Sequence, residues 1–213
     1  ECLVGSEMCI RDSIEDGQFI VLCGESGCGK TTITRLINGL IPHYYEGKMS
    51  GNVWVNEAKV SEQPLYDTAK TVGSVFQNPR SQFFNVDTTS EITFGCENLG
   101  QPERSIRERL EKTVRDFHLE KLMGRNIFHL SGGEKQKIAC AGVSIMEPDV
   151  LVMDEPSSNL DASSILDLRS ILAFWKSQGK TIIVSEHRLY YLRGLADRFI
   201  YITCLLYTSP SPR

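Results

Sequence analysis

The chain has 213 residues, 41% hydrophobic and 23% charged, which suffices for one α/β domain with a sizeable core. Its formal net charge of -4 gives no basic field, which argues against nucleic acid as the main partner. No apolar run reaches the roughly 18 residues that a membrane-spanning helix needs, so a role at a membrane would have to pass through a partner. In chain order, Phe19–Cys23 (FIVLC) reads as a buried strand running into a Gly-rich turn. Ile33, Leu36, Ile37 and Leu40 then recur at helical spacing over Lys30–Leu40. Val53–Val55 and Thr71–Phe76 read as strands, and the stretch from Asp87 to about Glu147 is mostly helical, notably Glu103–His118. Val150–Met153 and Thr181–Ser185 read as further buried strands flanking a helix, Ala162–Gln178, that Gly179 stops. Phe199–Thr203 reads as the start of one more strand. Strands alternating with helices predict a largely parallel sheet covered by helices, with core segments 14–80 and 148–203 and an inserted helical subdomain over 81–147.

The two ends read differently from everything between them. One permitted coding of Cys204–Arg213, taken on the opposite DNA strand in a shifted frame, translates as VGSEMCIRD, which is Val4–Asp12. The pair resembles a translated sequencing adapter, so residues 1–13 and 204–213 are set aside as non-native and expected to pack on nothing consistent. The natural segment is then expected to be a fragment, 14–203, truncated at both ends. Cys23, Cys28, Cys96 and Cys140 remain, scattered and without a CxxC pair, as in a reducing cytosol rather than a disulfide framework.

Three motifs carry chemistry. Gly24–Thr31 (GESGCGKT) fits GxxxxGK[ST] directly after a strand and before a helix. Its glycines let backbone N–H groups curl around a β-phosphate, and the helix N-terminus adds favourable dipole charge. Gly24, Glu25, Ser26, Gly27, Cys28, Gly29, Lys30, Thr31 and Thr32 are therefore the candidate phosphate loop. Lys30 would reach the β- and γ-phosphates and the Thr31 hydroxyl would bind Mg²⁺. Asp154 and Glu155 end the strand VLVM, an arrangement in which Asp154 holds the metal and Glu155 polarises the attacking water. Leu130–Glu134 (LSGGE) precedes a helix, with Ser131 and Glu134 spaced for a capping box. It can be read as a helix start alone. Gly132 and Gly133 weaken a first turn, however, and make sense where backbone must approach a phosphate closely.

LSGGE also resembles the signature motif of ABC nucleotide-binding domains, and with it the stretch from about Asp16 to Thr203 resembles that family. The resemblance implies a RecA-like P-loop NTPase core, ATP and Mg²⁺ as ligands, and hydrolysis of ATP. It implies that Ser131, Gly132, Gly133 and Glu134 bind the γ-phosphate held by an opposite protomer. Gln77 matches the Q-loop glutamine, which contacts Mg²⁺ and the surroundings of the attacking water. Ser158–Asp161 (SNLD) matches the D-loop, whose Asp161 lies at the dimer interface, and His187 matches the histidine that steadies the γ-phosphate. The family's adenine-stacking aromatic would precede Ile14, and no residue here is assigned to it.

Finer likeness lies in Phe76–Phe84 (FQNPRSQFF), Phe94–Leu99 (FGCENL), Asn38–Gly47 (NGLIPHYYEG) and Glu186–Leu192 (EHRLYYL). These look like energy-coupling factor (ECF) transporter ATPases, which drive uptake of vitamins or transition-metal ions, and especially like the first half of tandem forms. Another importer class remains an alternative, as does a soluble ABC ATPase. The latter would carry a long coiled-coil insertion, zinc-binding cysteines or a basic linker, and none lies between Gln77 and Ser131. The partners this implies are a second ATPase domain, identical, homologous or fused, docked head to tail, and a transmembrane subunit at the cytoplasmic face of the membrane. Phe83 and Phe84, just past Pro79, are expected either to anchor a short helix of that subunit or to pack the helical subdomain's core.

Overall fold

The computed structural model describes residues 12–45 and 50–203. The ends expected to be foreign lie outside the described residues except for Asp12 and Ser13, as do Glu46 and Gly47 of NGLIPHYYEG. Asp12 and Ser13 are exposed, and Arg198 Nη2 donates to Asp12 Oδ2 at 2.7 Å and to the Ser13 carbonyl at 3.3 Å.

The elements follow in the order β1 (Phe19–Gly24), α1 (Lys30–Ile37), α2 (Leu40–His43), β2 (Trp54–Val55), β3 (Ala58–Lys59), α3 (Leu65–Thr71) and β4 (Val72–Val75). Then come α4 (Thr88–Asn98), α5 (Glu103–Asp116), α6 (Gly132–Ser144), β5 (Val150–Asp154), α7 (Ala162–Ser177), β6 (Thr181–Ser185) and β7 (Arg198–Ile202). Helix α1 stops short of the expected Leu40 because Gly39 adopts a left-handed conformation, φ 78°, that breaks the helical run.

Five strands form one parallel sheet in the order β4-β5-β6-β1-β7. Parallel strands need covering on both faces, and β1, β5 and β6 are accordingly buried at nearly every position. Side chains alternate between faces. Phe19 and Val21 of β1 join a large core with Ile92, Ile138, Leu168 and Trp175, whereas Ile20 and Leu22 face Ile33 and Ile37 of α1. The helices between β4 and β5 share the first of these cores with the strands, so α4 and α6 are welded to one sheet face.

The register decides where chemistry collects. Leu22 lies beside Ser185, and Ser185 beside Asp154, so the carboxyl ends of β1, β6 and β5 finish level with one another. In open parallel sheets that edge is where ligands bind.

Candidate active site

The loop leaving β1 is fixed by close approach. A Cβ on Gly24 would lie 2.3 Å from the Ile202 carbonyl oxygen, so only glycine fits between β1 and β7 at this point. Gly29, in a left-handed conformation at φ 101°, starts α1 without a side-chain cap. The first N–H groups of α1 are thereby left to an anion. Lys30 is buried, and its ammonium donates to the carbonyls of Gly24 (3.1 Å) and Glu25 (2.9 Å), which curls the loop around its own lysine. Glu25, Ser26 and Gly27 are exposed at the rim, Cys28 is buried beneath it, and Thr32 is exposed on α1.

Thr31 Oγ1 donates to Asp154 Oδ1 at 3.1 Å, and the Ser185 hydroxyl donates to the same carboxylate oxygen. A hydroxyl beside a carboxylate, next to a phosphate loop, is an oxygen set suited to a hard cation such as Mg²⁺. Thr31 and Asp154 would hold that ion, which when bound neutralises charge on the β- and γ-phosphate oxygens.

Glu155 follows the strand in a left-handed conformation, φ 42°. For a non-glycine residue this costs about 1–3 kcal/mol, and it is met most often at functional turns. The turn delivers its carboxylate to two side chains. Gln77 Nε2 donates to Oε2 at 2.9 Å, and His187 Nε2 lies 3.1 Å from Oε1. Gln77, expected to contact Mg²⁺ and the surroundings of the attacking water, donates through its amide to the carboxylate of Glu155. Residues from two separate loops, 78 and 32 positions from Glu155 along the chain, thus converge on its carboxylate.

Ser131 and Glu134 are arranged otherwise. Ser131 caps α6, its Oγ accepting from Glu134 N at 3.2 Å while Glu134 Oε2 accepts from Ser131 N at 2.7 Å. The Ser131 amide, with Arg125 at 3.3 Å, holds the Glu134 carboxyl below the usual range. Gly133 has a packing reason that the sequence alone did not reveal: a Cβ there would lie 1.9 Å from Ser164 Oγ and 2.6 Å from Ser164 Cβ at the start of α7. Gly132 is exposed, 3.3 Å in the same sense from the Asn159 carbonyl. Asp161 caps α7 and accepts from Ser164 N (3.0 Å) and Ser163 Oγ (3.1 Å), with the Ser164 contacts holding its carboxyl low. Among the described residues no hydrogen bond joins Ser131, Gly132, Gly133, Glu134 or Asp161 to Lys30, Thr31, Gln77, Asp154, Glu155 or His187.

Residues 10–158 match the ABC transporter family. An ABC transporter ATP-binding protein of Treponema denticola is 54% identical over 189 residues, which make up 89% of this chain and 39% of that relative. The chain spans about two fifths of the length of such curated relatives. Among solved structures, cbiO1 from Clostridium perfringens, part of the ABC transporter complex cbiONQ, matches with a TM-score of 0.81 at 28% identity, over 91% of this chain and 76% of its own. The ATP-binding cassette MJ0796, dimeric and bound to ADP and Pi after hydrolysis, matches in fold with a TM-score of 0.76 at 22% identity, over 90% and 83%.

Proposed function

The chain belongs to the ABC transporter family, and from that premise we propose that it binds ATP on the 24–32 loop and hydrolyses it as the ATPase of a membrane transporter. The observation that carries the reading is the convergence of Gln77 and His187 on Glu155, beside the Thr31–Asp154 pair. Each carboxylate oxygen of Glu155 accepts one of those contacts and keeps a second lone pair for a water. Glu155 then acts as general base, Gln77 and His187 fix the plane of its carboxylate, and Lys30 and Thr31 orient the phosphates. Single-turnover hydrolysis of radiolabelled ATP tests this. Glu155→Gln keeps the side chain's shape and should slow turnover at least about 100-fold while ATP stays bound. Turnover near the parent rate would move the base elsewhere, with His187 the next residue to test.

The transporter is of the ECF type, an importer of a vitamin or transition-metal ion, and the chain is one half of a tandem ATPase. The motifs FQNPRSQFF and FGCENL support the type, as does the likeness to cbiO1, itself part of a transporter complex. Relatives more than twice as long as the matched stretch support the tandem arrangement. The partners are a second ATPase domain, which brings its own LSGGE to this phosphate loop, and a membrane subunit at the cytoplasmic face. Among the described residues no helix is long and apolar enough to cross a membrane, so the work passes through a contact surface.

An apolar groove beside Gln77 fits that contact. It is lined by Leu40, Leu65, Phe76, Phe84, Phe94 and Met146, which lie between the sheet edge and α4–α6. The two candidate anchors part company here. Phe83 packs against the main core, whereas Phe84 is 75% exposed and stacks on Phe94 with ring centroids 5.0 Å apart. Phe84→Ser in the complete transporter should abolish uptake and leave basal ATPase within about twofold of the parent, the mark of a hot-spot aromatic lost from an interface. Unchanged uptake would remove Phe84 from the coupling surface.

A further inference from the structure

Glu186 ends the run TIIVS-E and immediately precedes His187. Its side chain is 2% exposed, and among the described residues it forms no ion pair. A buried carboxylate is costly unless hydrogen-bond donors surround it. Four do. Oε1 accepts from the amides of His187 (2.8 Å) and Arg188 (3.1 Å). Oε2 accepts from the Ser157 amide (3.3 Å) and the Tyr191 hydroxyl (2.8 Å). Three of these donors come from the stretch carrying His187 and one, the Ser157 amide, from the turn following Glu155, so the carboxylate bridges two loops. Its neighbour Arg188 adds a second tie, donating from Nη1 to the carbonyls of Ser157 and Leu160, each at 3.3 Å. Leu160 directly precedes Asp161. A turn that needed only a cap would be served by a serine or threonine. A long carboxylate split between two loops is a cross-link, and the loops it joins hold the general base and its histidine.

We infer that Glu186 is a positioning residue for ATP hydrolysis, holding the His187 loop at a fixed distance from the Glu155 turn. With Arg188 it also ties His187 to segment 157–161, so that movement of one is passed to the other. The inference rests on the ATPase reading above. Its test uses the full chain, with ATP affinity from a fluorescent-nucleotide titration, single-turnover hydrolysis, and melting temperature measured on each variant. Glu186→Gln keeps volume and one acceptor oxygen, but turns a donor toward the Ser157 amide. It should cut the hydrolysis rate about tenfold or more, with ATP affinity within twofold of the parent. Arg188→Met, at an exposed position, should slow hydrolysis about threefold with affinity again unchanged. A rate within twofold of the parent in Glu186→Gln, or a rate and an affinity that fall together, overturns the inference. If Glu186→Gln does not fold, Arg188→Met decides alone, and a parental rate in it overturns the inference. A parent chain that does not hydrolyse ATP would instead sink the proposed function, so the two failures are distinguishable.

Discussion

The carboxyl edge of the sheet and the Ser131 helix start are built in opposite ways. At the sheet edge, groups far apart in sequence point at one another: Thr31 at Asp154, Gln77 and His187 at Glu155. At the helix start every partner is local or purely structural: Ser131 and Glu134 cap each other, and Gly133 lies against Ser164. The first region has the contents of a reaction centre within one chain. The second has a satisfied helix cap and an exposed outer face, and among the described residues no hydrogen bond joins it to the first. In the proposed assembly this is the expected division, because a surface that serves another domain's nucleotide has to be complete in itself before that domain arrives.

Gly133 is the place where the contrast can be broken. Gly133→Ala would drive a methyl into Ser164 and should destabilise the chain by about 1–3 kcal/mol, read as a fall in melting temperature. Adding Ser164→Gly removes the obstructing atoms and should restore most of that stability. If turnover stays low in the restored double variant, Gly133 has a role toward the nucleotide beyond packing. Full recovery of turnover would assign the glycine to packing alone.

A smaller effect sharpens the other side of the comparison. Asp197 accepts from Lys176 and from the Phe19 amide at the start of β1, and these bonds hold its carboxyl below the usual range. A carboxyl depressed in the folded state contributes stability above its unfolded pKa of about 3.9 and loses it as pH falls below that value. Asp197→Asn should therefore lower the melting temperature by a few degrees at neutral pH and flatten its fall in acid, at roughly the cost of a partly exposed ion pair. An acid profile identical to the parent's would show that β1 is anchored without this contact. Glu134 is depressed as well, by the Ser131 amide, so some acid sensitivity should survive in the variant.

Much of this could be read from the sequence because its signals are local. GESGCGKT, LSGGE and the carboxylates after VLVM each fix their chemistry within a few residues, and the apolar runs located β1, β5 and β6. What escaped depends on contacts across long separations. Glu186 looks like an ordinary acidic residue beside a histidine until folding brings Ser157 and Tyr191 to it. Ser185 gave no sign of its bond to Asp154, since that bond comes from the register of β5 against β6. Phe83 and Phe84 are indistinguishable as neighbours in a loop. Only the packing of α4 and α6 sends one ring inward and leaves the other exposed.

In the proposed assembly the nucleotide's two contact sets lie on different domains, so that damage to one spares binding at the other. The most direct test compares Ser131→Arg with Lys30→Ala in the whole protein, measuring ATP affinity by titration and hydrolysis by single turnover. Both variants should lose hydrolysis about 100-fold or more. Lys30→Ala should also lose ATP affinity at least about tenfold, the scale of one charge-assisted contact to phosphate, whereas Ser131→Arg should keep it within about threefold. Equal loss of affinity in the two variants would place Ser131 and Lys30 in one site on one domain and contradict the account.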